Sequence, residues 1–483
     1  MRSAIFLVLT LAIYSWLLVD RFSPEPAWSD GSGYMNSASM LTKWRFTSDL
    51  RKPYAIENPY PYHFEPLGLH FNDKSKQLTS TYFVGLPLHL AFVGNFIGLN
   101  NGPYVVVIGS ALLTLLITAL IAIELGVRSI VAFAAAASLA ICPVFVLTST
   151  SILSDTVATL WCSFAFLAAI KARRKNMAWA LATGCAVGLA MLVRSTNVLM
   201  IPAVVVALWN WEAIIYAAIG GIPAIGFLLY YQASVYGSPL HSGYGDFGAM
   251  FSMQAFVPTV AFFFHYFMLL LPFALLSFCA LFQAPTRQTV KDVAALAAWA
   301  GAFVVFYAFY SPVHQHWSNL RFVEPAFPAL LVMAGMGIED LTSRFLPTPI
   351  REFAASFSAI TAAFAGFATV QLYSHYPNPK LRDQGCVQSG QWITTQLPKD
   401  AVVLSMLYSG MIYFKSDQAI MRWDLVSRAD AQGYLRDLKH SGEPVYALLD
   451  SHEVSDPRIG NIPGKWTKLA TFSSASIWRV IPN

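Results

Sequence analysis

The sequence predicts an α-helical polytopic membrane protein with about eleven spans plus interfacial helices, ending in a small α/β domain outside the membrane. Three observations carry this expectation. The 483-residue chain is 56% hydrophobic and only 12% charged, with a mean hydropathy of +0.52, whereas soluble domains carry about 25% charged residues. Apolar runs close to the ~20 residues that cross hydrocarbon as a helix recur along most of the chain, and the short alternating segments of a membrane barrel do not appear. From Tyr373 onward the composition turns polar and short apolar stretches alternate with turn residues.

The first apolar segment, Ala4 to Val19, follows Arg2. Asp20-Arg21-Phe22-Ser23-Pro24 after it lacks a small-x-small cleavage site, so the segment reads as an uncleaved span with its N-terminus in the cytoplasm. Residues 21–81 form a first outer loop, long enough to be functional and rich in Tyr and Pro, as at Asn58-Pro59-Tyr60-Pro61-Tyr62. Within it, Ser37 to Phe46 could form a short amphipathic helix on the bilayer surface. Further apolar segments run at Tyr82–Leu99, Tyr104–Leu125, Ile130–Thr148, Thr156–Ile170, Met177–Leu192 and Val198–Trp209. Others run at Ala213–Tyr231, Val257–Phe282, Val293–Tyr310, Phe322–Ile338 and Phe353–Leu372. This divides the chain into a membrane domain, 1–372, and a soluble α/β domain, 373–483. In the tail, Ala401–Ser405, Ala419–Arg422 and Val445–Leu449 read as strands and Arg428–His440 as a helix.

Orientation follows the bias of Lys and Arg toward cytoplasmic loops. Lys171-Ala172-Arg173-Arg174-Lys175 is the strongest such signal, and Arg128, Arg287, Lys291, Arg344 and Arg351 fall on the same side. Parity then leaves Tyr82–Leu99, with Gly85, Pro87, His89 and Asn95, as a re-entrant or interfacial pair rather than a span. The opposite side gathers Asp30, Asp155, Arg194, Tyr244, His314 and Arg321, and the C-terminal domain lies outside with them. The net charge of +5 is what basic cytoplasmic loops produce, so nucleic-acid binding is not implied. Of five cysteines, four lie in apolar runs and Cys386 stands alone in the tail, so no disulfide framework or Cys/His metal spacing is present.

Chemistry concentrates on that outer side. Asp30, in Trp28-Ser29-Asp30-Gly31-Ser32-Gly33-Tyr34, reads either as a helix-end cap or as a general base, with Gly31 and Gly33 keeping its surroundings open. Asp155 follows Ser154 at the outer start of a span, where it is an N-cap or a functional carboxylate. Arg194 and Arg321 are snorkelling helix-end arginines or a clamp for a lipid phosphate, which guanidinium forks bind in bidentate fashion. Tyr244 closes the Gly-rich loop Tyr236-Gly237-Ser238-Pro239-Leu240-His241-Ser242-Gly243-Tyr244, and His316 lies just ahead of Arg321. His314 and His316 lack a third ligand, so no metal site is assigned; Asp30 and Asp155 could share a divalent cation or work without one.

These stretches, together with Asn319-Leu320-Arg321-Phe322-Val323-Glu324-Pro325-Ala326-Phe327-Pro328-Ala329-Leu330, resemble in order and spacing the GT-C glycosyltransferases, family 39 type. That family includes protein O-mannosyltransferases and lipid A aminoarabinose transferases, and the likeness covers Met1 to about Leu372. The resemblance implies sugar transfer from a polyprenyl-phosphate donor to a lipid, glycan or protein acceptor, among membrane lipids on the outer face of a bacterial inner membrane. It implies Asp30 as the first-loop acid, Asp155 as the second-loop acid, and Arg321, with Arg194 a looser match, as contacts to the lipid phosphate. Relatives often carry Asp-Glu at the first site, where this chain has Asp30-Gly31. An inverting transfer needs one base and no enzyme nucleophile. The competing expectations are a flippase for a lipid-linked sugar, which would place substrate contacts near mid-membrane and could be built on inverted repeats, and a non-catalytic membrane scaffold. Neither mid-span charges nor a repeat is apparent in the sequence.

Overall fold

The computed structural model describes residues 2–173, 176–282, 286–345, 347, 350 and 378–482. The predicted segment Phe353–Leu372, Arg351 and the last two basic residues of Lys171–Lys175 lie outside the described residues. Two compact units emerge. One comprises Met1–Phe22, Tyr104–Leu228 and Asp246–Asn378; the other comprises Ser23–Pro103, Leu229–Gly245 and Pro379–Asn483.

The first unit is helical. Helix α1 (Arg2–Arg21) opens the chain. The loop that follows belongs to the second unit and contributes α2 (Trp28–Thr42) and α3 (Gly85–Ile97). The helices of the first unit resume at α4 (Gly109–Glu124), α5 (Ser129–Ile141), α6 (Pro143–Ser149), α7 (Asp155–Ala172), α8 (Met177–Val193) and α9 (Ile201–Leu208). Then come α10 (Trp211–Tyr236), α11 (Phe256–Leu270), α12 (Arg287–Tyr307) and α13 (Phe327–Phe345). Among the described residues, six helices are long and apolar enough to cross a membrane, or seven if α5 and α6 count as one span bent by 67°. The bend falls at Pro143, which has no N–H to continue the ladder. Helix α8, with 17 residues, is shorter than a full crossing, and the segment read as a re-entrant pair is the single 13-residue helix α3.

Basic residues assigned to cytoplasmic loops are ion-paired rather than merely solvated. Arg128 meets Glu339 at 2.6 Å, Lys171 meets Glu124 at 2.7 Å, Arg344 meets Asp340 at 2.8 Å, and Arg173 pairs with Asp292. Helices α8 and α10 touch backbone to backbone through small residues. A Cβ on Gly184 would lie 1.6 Å from the Ala217 carbonyl oxygen, and one on Gly220 would lie 2.1 Å from that of Leu181. Such close approach lets helices associate by dispersion where no hydrophobic force acts between them.

The second unit is built on a five-stranded sheet of β3 (Val402–Leu404), β4 (Ala419–Met421), β5 (Val445–Asp450), β6 (Lys465–Phe472) and β7 (Ala475–Ile481), in the order β4-β3-β5-β7-β6. A hairpin of the first loop supplies β1 (Leu69–Asn72) and β2 (Gln77–Ser80) outside this sheet. Strand β3 runs parallel to β4 and β5, while β6 and β7 are antiparallel additions. The three predicted tail strands coincide with β3, β4 and β5. The predicted tail helix spans Arg428–Ser441, with Ser427 accepting from the Asp430 amide and Gly442 closing it in the left-handed region. Alternation along β3 sends Val403 to one face and Val402 and Leu404 to the other. First-loop residues complete both cores. Leu69, Phe71 and Leu78 join Val403 and Leu448, while Ile56 and Phe64 join Leu404, Leu435 and Trp423.

The helix contact and the second unit's core each give a test. Gly184→Leu forces the α8 and α10 backbones apart and should cost about 3 kcal/mol or more, read as a lower melting temperature in detergent. Gly226→Ala, with open space around the new methyl, is the control that leaves it unchanged. In the second unit, His63 packs against Tyr434 with Nδ1 3.2 Å from the phenol oxygen, and burial holds its pKa below the ordinary value, against the opposing charge of Asp430. The unfolded chain therefore takes up a proton at about pH 6.5 that the folded unit resists, so stability should fall as pH drops below about 6.5. The melting temperature should decline between about pH 7.5 and about pH 5 by more in the wild type than in His63→Gln.

Candidate functional site

Asp155 is the centre of the polar cluster in the first unit. It occupies the first turn of α7 and is 1% exposed. Ser154, the residue before the helix, makes no side-chain cap, and Asp155 turns instead to two arginines. Arg194 Nη1 donates to Asp155 Oδ1 at 2.5 Å, and Arg321 Nη1 stands 3.7 Å from Oδ2, which accepts no hydrogen bond among the described residues. A buried carboxylate is tolerable only when paired, and here it faces two cations. Arg194 reaches it because α8 ends at Val193 and the chain turns extended at Arg194, with φ −151°. The arginine is thereby drawn inward rather than snorkelling.

Arg321 comes from a 3-10 coil, Trp317–Ala326, that leads into α13. Between the arginines lies Phe322, whose ring centroid is 5.5 Å from each guanidinium carbon. Tyr307 stacks on that ring at 5.7 Å and donates its hydroxyl to Thr196 at 3.0 Å. One turn beyond Arg321 is Glu324, fully buried, which accepts from Thr148 Oγ1 at 2.7 Å and Thr159 Oγ1 at 3.3 Å. Glu324 stands near the start of Trp317–Arg344, a stretch apolar enough to cross the membrane. Its signal is an ionisable residue at the start of an apolar run. His316 starts the coil, its Nδ1 2.7 Å from the Ser318 hydroxyl and accepting the Ser318 amide; its partner in the sequence pair, His314, contacts Thr259 at 3.1 Å. The two histidines thus have separate polar partners. Among the described residues, no group of three His, Cys, Asp or Glu is arranged to hold a metal ion.

Asp30 and Tyr244 lie in the second unit. Asp30 sits in the first turn of α2, where the helix dipole favours an acid. Ala27, not Asp30, occupies the cap position. The helix begins at Trp28 with φ +60°, a left-handed conformation that costs an L-residue of order 1–3 kcal/mol. Trp28 is braced there by Asp383, 3.4 Å from its indole nitrogen, and by the Arg382 guanidinium 5.6 Å from its ring. Of the expected surface helix Ser37–Phe46, only Ser37–Thr42 is helical, as the end of this longer, largely buried helix, so its amphipathic reading does not hold.

Gly33, near Asp30, serves contact rather than open space. A Cβ on Gly33 would meet the Tyr82 ring at 2.4 Å and the Gly68 carbonyl oxygen at 3.0 Å, and a Cβ on Gly68, with φ +89°, would lie 2.7 Å from the Gly33 Cα. Tyr82 hydrogen-bonds to both Ser29, at 2.5 Å, and Asp30; burial first, then the Asp30 charge, push its phenol above the ordinary value. Tyr82 therefore stays protonated and donates to the carboxylate. Tyr244 packs its ring edge-on to Tyr82 at 5.8 Å and beside Phe83 at 5.5 Å. Nothing in the sequence distinguishes Tyr82, which stands there as one more interfacial aromatic.

Residues 87–236 match the family model described as dolichyl-phosphate-mannose-protein mannosyltransferase. Solved structures match over nearly the whole chain. ArnT from Cupriavidus metallidurans in the apo state superposes with a TM-score of 0.59 and 14% identity, covering 99% of this chain and 98% of ArnT. ArnT bound to undecaprenyl phosphate gives a TM-score of 0.61 and 14% identity, with 99% and 97% covered. The arabinofuranosyltransferase AftD from Mycobacteria gives 0.56 at 13% identity, covering 99% of this chain and 41% of AftD. No curated protein matches in sequence. The chain thus has the fold of ArnT, in line with the fold that its sequence resemblance implied.

Proposed function

We propose that the protein is a glycosyltransferase that moves a sugar from a polyprenyl-phosphate carrier to a lipid, glycan or protein acceptor at the outer face of the membrane. The observation that carries this reading is the arginine pair anchored on one buried carboxylate, Arg194 and Arg321 on Asp155. Two guanidinium groups at a helix boundary suit a lipid phosphate that must stay at the interface while its tail remains in hydrocarbon. The fold likeness to ArnT, a protein solved with undecaprenyl phosphate, supports the same ligand class.

In this reading Asp30 is the base. The acceptor hydroxyl gives its proton to the Asp30 carboxylate while its oxygen attacks the anomeric carbon. The bond from that carbon to the phosphate oxygen breaks, and the configuration inverts because the attack opposes the leaving group. The donor phosphodiester carries one negative charge and the departing monoester carries two, so stabilisation by the arginines grows along the reaction. Asp155 holds the arginines in place. Tyr82 and Tyr244 frame the acid, Tyr82 keeping it ionised by donating to it, and His316 borders the coil that carries Arg321. The C-terminal sheet and first loop form the extracytoplasmic unit, and a divalent cation is not needed for any of these steps.

Two outcomes test the proposal. Purified protein should bind undecaprenyl phosphate, and Arg194→Ala and Arg321→Ala should each weaken binding by about tenfold or more; equal affinity in both variants removes the clamp. Turnover can be read as undecaprenyl phosphate released from a pool of undecaprenyl-phosphate-linked sugars. Asp30→Asn should lower it about 100- to 10,000-fold. Tyr82→Phe withdraws a hydrogen bond from the ionised acid, so the acid limb of the pH profile should move to higher pH. An unmoved limb rules out the assigned role of Tyr82.

A further inference from the structure

Glu324 takes no part in the chemistry above, yet burying a carboxyl costs several kcal/mol unless it is well partnered. Its position explains its presence. Arg321 and Glu324 are three residues apart on a 3-10 coil, where residues i and i+3 eclipse and so share a face. Asp155 and Thr159 are four apart on α7 and share a face there. The two elements therefore meet in two rungs. The outer rung joins Arg321 to Asp155 at 3.7 Å, and the inner rung joins Glu324 to Thr159 at 3.3 Å. The inner rung is closed by Thr148 from α6, which donates to Glu324 at 2.7 Å and receives the Thr156 hydroxyl at 3.0 Å. Glu324, Thr148, Thr156 and Thr159 are all 0% exposed.

We propose that Glu324 is a positioning residue that sets the register of the Trp317–Ala326 coil against α6 and α7, and thereby places Arg321 beside Asp155 for the phosphate of a polyprenyl carrier. The inference rests on the reading that the arginine pair binds that phosphate. The two carboxyl oxygens accept from two hydroxyls at once, which an apolar side chain of similar size cannot do. A sliding coil would keep Arg321 in the neighbourhood but move its fork away from Asp155.

The test measures undecaprenyl phosphate affinity and melting temperature together, on the detergent-solubilised full-length protein. Glu324→Leu should weaken binding about tenfold or more, and the isosteric pair Thr148→Val/Thr159→Val should do the same. Combining all three should add little, because they break one network. Glu324→Gln, which keeps the shape and one acceptor, should recover part of the affinity. A lower melting temperature with affinity within about twofold of wild type marks Glu324 as merely structural and overturns the inference. If Glu324→Leu does not fold, the Thr148/Thr159 variant decides. Binding by the wild type with unchanged variants sinks this inference alone, while a wild-type protein that does not bind undecaprenyl phosphate sinks the phosphate reading and this inference with it.

Discussion

A single buried carboxylate organises the polar part of the first unit. Removing Asp155 would leave Arg194 and Arg321, side chains that are 14% and 21% exposed, beside each other without the negative charge that both now face. Breaking such a pair by deleting one partner typically costs about 3–5 kcal/mol. Three features of the backbone serve it: α7 starts at Asp155, α8 stops at Val193 so that Arg194 can turn inward, and the coil after α12 tightens so that Arg321 faces back. Each is a helix end, where backbone polar groups already need partners and charges are least costly to place.

The second unit meets a different constraint, the close approach of chain segments far apart in sequence. Gly33 and Gly68 touch because neither has a side chain, and their contact puts the Tyr82 ring against the start of α2. The same helix is tied to the tail, where the Asn36 amide donates to the Gly410 carbonyl at 2.9 Å and Gly410 leaves no room for a Cβ beside Ser32. The first loop and the tail therefore behave as one body. A sheet whose two cores each borrow residues from the first loop holds that loop's acid in a defined place.

Much of this is legible in the sequence, for reasons that also mark where legibility ends. Charge bias and parity group Asp155, Arg194 and Arg321 on one side, because an arginine or acid at the end of an apolar run is costly to keep without a use. Short apolar runs bounded by turn residues locate β3, β4 and β5, while β6, with lysines and exposed residues on both faces, offers no such run. Glycines are harder. Gly31 and Gly33 suggest open space when Gly33 in fact serves contact, since a missing side chain permits either and only the partner at Gly68 decides. Glu324 is hidden by its apolar neighbours, Phe322, Val323 and Pro325, and Tyr82 by the many aromatics around it. Both contact residues distant in sequence, which no local pattern encodes.

The choice of arginine over lysine at both cationic positions is explained by Phe322. A ring 5.5 Å from each guanidinium carbon, itself stacked on Tyr307, offers a flat surface that a planar cation covers well. Held against such a surface, a guanidinium spends its donors in its own plane, so one edge can meet Asp155 while the other is able to meet a second anion. An ammonium has no plane and no second edge, and would collapse onto the carboxylate as a point charge. In the proposed reading, the aromatic residue between the arginines is thus what lets a salt bridge serve also as an anion site.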